Sequence, residues 1–147
     1  MDHYLPTWAP PLPVAISAAA VATGVAINTG FEPTLRTIPA LLLVSFGLAG
    51  VANHIADYHV EHLRRIAHRW WLLAFVAFLP YGLVTSPSSE SAAAMGEAFA
   101  GPIAETTLEA FAGASILCAV AVSVLYGFAR YGIHPGRPTP EDRLLDD

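Results

Sequence analysis

Four apolar stretches lie between Leu12 and Tyr131, and charge is all but confined to the intervals between them. Residues 12–28, 38–55 and 70–85 contain no Asp, Glu, Lys or Arg, and 108–131 holds only Glu109 and Arg130, close to its two ends. Such a segment enters lipid as a helix, because its backbone N–H and C=O groups must then find their partners within the segment. The pattern therefore predicts an all-α polytopic membrane protein. Its expected core is an up-and-down four-helix transmembrane bundle with spans at about 12–28, 38–55, 70–85 and 108–131.

Composition agrees with this reading. Hydrophobic residues make up 54% of the 147 and charged residues 13%. A soluble domain carries about 25% charged residues, so roughly half the usual charge is present. Mean hydropathy is +0.51. A formal net charge of -5 argues against nucleic acid as a partner. All seven basic residues are arginine. That bias, with the acidic balance and many alanines, points to a GC-rich prokaryotic source adapted to salt.

The chain divides into an interfacial Pro-rich arm at 1–13, a transmembrane domain over 12–131 and an acidic cytoplasmic tail at 132–147. The arm carries Pro6, Pro10, Pro11 and Pro13, too dense for one continuous helix, with Tyr4 and Trp8 suited to a headgroup region. No positive charge precedes the first apolar stretch, so that stretch is expected to be kept rather than cleaved. It is rich in Ala and Gly, residues that let helix backbones approach closely in lipid. An interior position is expected for it.

The second stretch opens with Pro39 in its first turn and turns polar at Asn53-His54. No glycine or proline occurs between Val51 and Leu79. The second helix is therefore expected to continue into the cytoplasm as an amphipathic extension, with His54, Asp57, Tyr58, Glu61, Arg65 and His68 on one face. The third stretch, 70–85, rises only about 24 Å against a hydrocarbon core of about 30 Å. It is thus expected to borrow residues before Trp70 or to sit in thinned bilayer, with Pro80 kinking or unwinding it. Pro87-Ser88-Ser89-Glu90 resembles a helix start, which allows a short surface helix before Gly101-Pro102.

Arginine sets the expected orientation. Arg64, Arg65 and Arg69 fall between spans two and three, and Arg130, Arg137 and Arg143 lie at or after the end of span four. The other two connections hold Arg36 alone, against Glu90, Glu97 and Glu105 in the longer one. Arginine marks the cytoplasmic side, so a multi-pass cell-membrane protein with both termini cytoplasmic is expected.

Chemistry is thinly signalled. His54, Asp57 and Glu61 are spaced three and four apart, and His134 follows the last span, so these four form the candidate metal set. Nearby Arg64 and Arg65 repel a cation. Haem would need His54 plus a second axial ligand, for which His134 is the available residue. Haem and a divalent metal are thus conceivable cofactors, neither favoured. Asn53, His54, Asp57 and Glu109 are the polar residues at span ends that an ion path would use. Ser17, Ser45, Ser115 and Ser123 read as packing residues in spans, and no nucleophile elbow or phosphate loop occurs.

The leading expectation is a non-enzymatic membrane component. It acts as a homo-oligomer, or as an accessory subunit of a transport or energy-converting complex, with the lipid bilayer and partner membrane subunits as its surroundings. A homo-oligomeric small-ion channel or carrier and a haem- or metal-binding redox protein are the alternatives. One consequence is immediate: the purified chain is expected to need detergent throughout, which size-exclusion chromatography reads directly. A monodisperse peak in plain buffer would remove the membrane assignment.

Overall fold

The computed structural model describes residues 10–28 and 33–132. Most of the expected arm and nearly all of the expected tail lie outside the described residues. The rest is helical: α1 spans Leu12–Ile27, α2 Thr37–Ile55, α3 Val60–Thr85, α4 Glu90–Glu97 and α5 Pro102–Arg130.

The local signals explain the helix ends. Pro sits in the first turn of α1 and at the start of α5, where its missing N–H costs nothing. Gly101, just before α5, has φ of +142°, a backbone conformation that favours glycine. Ser89 caps α4, its hydroxyl accepting from the Ala92 N–H at 3.2 Å. This matches the short surface helix expected after Pro87. Pro80 lies inside α3, which continues past it to Thr85.

Three of the helices, α2, α3 and α5, are long and apolar enough to cross a membrane. At 16 residues, α1 is apolar but shorter, rising about 24 Å. It lies between α2 and α5, while α5 also packs along α3. Although consecutive, α2 and α3 make no comparable contact with each other. The helices therefore form an array in which α1 and α5 hold the middle, rather than a ring closed by every neighbour.

Burial runs opposite to that of a soluble protein. The interior combines small side chains, Ala112, Ala114, Ser115, Cys118 and Ala119 on α5, Ala74 and Ala77 on α3, Ala40 on α2, with branched residues such as Val21, Val51, Leu63 and Val122. Large apolar groups point outward, among them Leu41, Leu42 and Phe46 on α2 and Leu72, Phe75 and Leu79 on α3. An exposed apolar perimeter of this extent is stable only against an apolar surround. Polar side chains inside the helices are satisfied locally, as where Ser115 Oγ donates to the Phe111 carbonyl at 2.7 Å. Among the described residues no buried side-chain nitrogen or oxygen lacks a partner.

The tightest seam is between α1 and α2. A Cβ on Gly24 would lie 2.7 Å from the Ala40 carbonyl oxygen and from a Val44 methyl; one on Gly47 would lie 2.6 Å from the Ser17 carbonyl oxygen and from a Val21 methyl. Gly50 faces the Ser17 side chain rather than its backbone. Low numbers on one helix meet high numbers on the other, so the pair is antiparallel. Ser17, Val21 and Gly24 thus interlock with Ala40, Val44 and Gly47 at matching four- and three-residue steps.

The structure corrects the expected extension of helix 2 into the cytoplasm. α2 stops at Ile55, a turn occupies Ala56 to His59, and the polar segment forms the first three turns of α3. The reason is packing: α2 lies on α1 and α3 on α5, so a continuous helix would carry one partner away from the core. With the turn, Ile55 and Leu63 are both buried, at 2% and 1% exposure, in one cluster with Val14 and Val51. The turn also relieves the shortness of 70–85, since α3 has 26 residues and rises about 39 Å. α5 similarly starts six residues before the expected 108.

The seam yields a prediction. Gly47→Ala places a methyl against backbone that cannot swing aside, and should destabilise the protein by about 1–3 kcal/mol. Gly82→Ala, where a Cβ would meet nothing within 4 Å, should be neutral or slightly stabilising. Detergent unfolding curves of the two variants compare these outcomes. Equal stability would mean that α1 and α2 are not packed as described.

Candidate functional site at the basic end of the helices

The N-terminus of α1, the C-terminus of α2, the N-terminal half of α3 and the C-terminus of α5 meet at one end of the molecule. Pro10, Pro11 and Val14 share a groove with Ile55, Tyr58 and His62, and a second groove joins α3 to Ser123 and Tyr126 of α5. Arg64, Arg65, Arg69 and Arg130 are all exposed here, as are His54, His59, His62 and His68. The far end carries Glu90, Glu97 and Glu105, which are exposed, with Glu109 half-buried and Arg36 as its arginine.

The start of α3 is built by backbone capping. The His59 carbonyl accepts from the N–H groups of His62 at 2.8 Å and Leu63 at 3.0 Å, and Glu61 places a carboxylate in the first turn, favourable to the helix dipole. The Tyr58 and His62 rings meet edge to face at 5.0 Å between centroids. Leu63 and Ala67 point inward, leaving Glu61, Arg64, Arg65, His68 and Arg69 on the outer side.

Two grooves flank this segment, and Arg69 lines both. The one between α3 and α5 has a volume of about 690 Å³ and is walled by Arg64, Arg65 and His68, with Glu61 at its rim. One wall is pinned across the helices: the Trp71 indole N–H donates to Ser123 Oγ at 3.0 Å, and Ser123 Oγ donates to the Ala119 carbonyl at 2.7 Å. Next to it, Arg130 donates to the Tyr126 hydroxyl at 3.4 Å. The other groove, of about 460 Å³, lies between the α1 N-terminus and the Tyr58, His62 and Trp70 side of α3.

The residues singled out by sequence are divided by this arrangement. Asn53 and His54 are exposed on the last turn of α2, Asp57 lies in the turn, and Glu61 opens α3. The turn breaks the three- and four-residue spacing that a single helix would have given His54, Asp57 and Glu61. Among the described residues no group of three or more His, Cys, Asp and Glu side chains is placed to hold a metal ion. His134, the fourth member of the metal set and the second haem ligand considered, lies outside the described residues. Of the ion-path set, Asn53, His54 and Asp57 stay together at the basic end. Glu109 is in the second turn of α5, toward the acidic end.

Sequence reading passed over the arginine groove and the Trp71–Ser123 link. The signal was present: Glu61, Arg64, Arg65, His68 and Arg69 recur at helical spacing, but a helix started at Asn53 in phase with α2 hides which helix they face. Removing the link is informative. Ser123→Ala should cost about 0.5–1.5 kcal/mol in detergent unfolding, the range for one interhelical hydrogen bond. Trp71→Phe should cost a similar amount, and the double variant should cost less than the sum of the two. Strict additivity would show that the bond contributes nothing.

Comparison with known proteins adds no relative: no protein-family model, curated protein or solved structure matches this chain.

Proposed function

We propose that this chain is a non-enzymatic multi-pass membrane component that crosses the bilayer four times and assembles side by side with other copies of itself. Two arrangements support four spans with both termini cytoplasmic. Although α1 is short, protein flanks it on two sides, in α2 and α5. Arg64, Arg65, Arg69 and Arg130 share one end while four glutamates mark the other, as the positive-inside rule requires of a cytoplasmic face.

The observation that carries the assembly reading is the outer face of α2. Its inner line is Ala40, Gly47 and Val51, buried against α1. At about 180° from that line stand Ser45 and Ala49, both exposed, four residues apart and followed by Asn53. The same line opens with exposed Ile38 and Leu42, so its small residues lie toward the Asn53 end. Small and weakly polar side chains at four-residue steps allow close backbone approach and interhelical hydrogen bonds, which drive helix association in a bilayer. α2 is thus suited to a neighbour on this side as well, where no other helix among the described residues covers Ser45 and Ala49.

The test uses the full chain in membranes. Ala49→Cys should give an oxidised dimer, while Leu79→Cys on the outer face of α3 should not; the native Cys118 is buried and serves as a silent background. Ala49→Leu should weaken self-association in mild detergent by about ten-fold or more. A wild-type protein that stays monomeric at all concentrations, with no cross-link at 49, would sink the reading.

A further inference from the structure

We propose that the groove between α3 and α5 at the basic end binds the headgroup of an anionic phospholipid. The proposal rests on the reading that the chain spans a bilayer with this end at its surface. It is independent of self-assembly.

The charge at the groove is anomalous for this molecule. The chain as a whole carries a net charge of -5 and has only seven arginines. Three of them, Arg64, Arg65 and Arg69, line this one groove together with His68, and Glu61 is the single acid among the lining residues. Arg130, bonded to the lining Tyr126, adds a fourth guanidinium beside it. Guanidinium groups pair with phosphate oxygens in a two-pronged geometry, and a groove of about 690 Å³ has room for a phosphodiester and its polar substituent. Basic pockets between helices at a cytoplasmic surface are sites for anionic headgroups.

The outer line of α3 distinguishes a lipid from a free anion. Glu61, Arg65, His68, Leu72, Phe75 and Leu79 follow one another at steps of four, three, four, three and four residues, so they form a single stripe along the helix. Its first half is charged. Its second half is apolar and bare, with Leu72, Phe75 and Leu79 exposed at 54%, 66% and 53%. A ligand lying along this stripe needs a negative group at one end and hydrocarbon at the other. Trp71 and Tyr126, both lining the groove, stand near the changeover, where amphipathic aromatic rings sit in a bilayer. The Trp71–Ser123 bond holds α3 and α5 at fixed separation there, so the groove is formed before any lipid arrives.

The full-length protein in neutral detergent tests this by native mass spectrometry. Phosphatidylglycerol, phosphatidylcholine and inorganic phosphate are titrated in parallel. Phosphatidylglycerol should be retained at one molecule per chain in preference to phosphatidylcholine. The double variant Arg65→Gln with Arg69→Gln should lose about thirty-fold in affinity for phosphatidylglycerol, near five-fold per arginine. Arg36→Gln, at the opposite end, should lose none. Both arginines are exposed, so the variant's circular dichroism and melting in phosphatidylcholine should match the wild type. Unchanged preference in the double variant, or equal retention of the two lipids, overturns the proposal. Displacement of phosphatidylglycerol by inorganic phosphate at comparable concentration also overturns it, in favour of a small-anion site. A chain that stays monodisperse with no detergent fails earlier and differently, by removing the bilayer itself.

Discussion

The fold depends on how closely two backbones can approach. In lipid there is no gain from hiding apolar side chains from water, because the surround is itself apolar; helices associate through dispersion contacts and local hydrogen bonds. Those contacts are dense only where side chains are small. Gly24 and Gly47 let α1 and α2 meet with carbonyl oxygens and valine methyls inside the space a Cβ would fill, and Gly50 does the same for the Ser17 side chain. The alanines of α5 do the same for α1 and α3, with Gly113 set against Val25 of α1. The largest residues are left for the perimeter, where bulk serves contact with lipid chains.

This inversion accounts for what was legible. Apolar runs without charge located the helices, because a span tolerates almost no charge wherever its side chains point. Pro39 and Pro87-Ser88-Ser89 marked helix starts through mechanisms that do not depend on tertiary packing, whereas Gly101-Pro102, read as the end of the short helix, proves to open α5 as well. The end of α2 was not marked in that way. Ala56, Asp57, Tyr58 and His59 all tolerate a helix, and none demands a turn. The chain turns there because Ile55 and Leu63 are buried in one cluster although α2 and α3 pack on different helices. That is a tertiary cause, invisible to periodicity. The one available hint was arithmetic: sixteen residues from Trp70 to Thr85 rise about 24 Å against a core of about 30 Å, which made a start upstream of Trp70 one of two readings.

The same turn rearranges the candidate site residues. Arranged on one continuous helix, His54, Asp57 and Glu61 form a polar row that invites a metal ion. With the turn in place, the row is divided between the end of one helix, a loop and the start of another. The arginines, read first as neighbours that spoil a cation site, become the substance of the basic groove. The physical lesson is specific: a one-turn misplacement of a helix start rotates every later side chain by the phase of the missing residues. Residue types survive such an error and their partners do not. Ser123 was correctly expected to serve packing and interhelical bonding, yet its partner Trp71 could not be named without the register of α3 against α5.

Helix length ties the architecture to the basic end. α1 and α2, with 16 and 19 residues, rise about 24 and 28 Å and just reach or fall short of a hydrocarbon thickness near 30 Å. α3 and α5, with 26 and 29 residues, rise about 39 and 43 Å, more than that thickness. The surplus is not apolar. On α3 it is the segment from Val60 to Arg69, with three arginines and two histidines, and on α5 it ends in Tyr126, Arg130 and Tyr131. The charged, aromatic-edged segment stands level with the ends of the shorter helices: Leu63 shares a buried cluster with Val14 and Ile55, and Arg69 lines a groove with Pro10 and Pro11. The cleft stays open because its lining comes from α3 and α5 alone, and neither α1 nor α2 closes it.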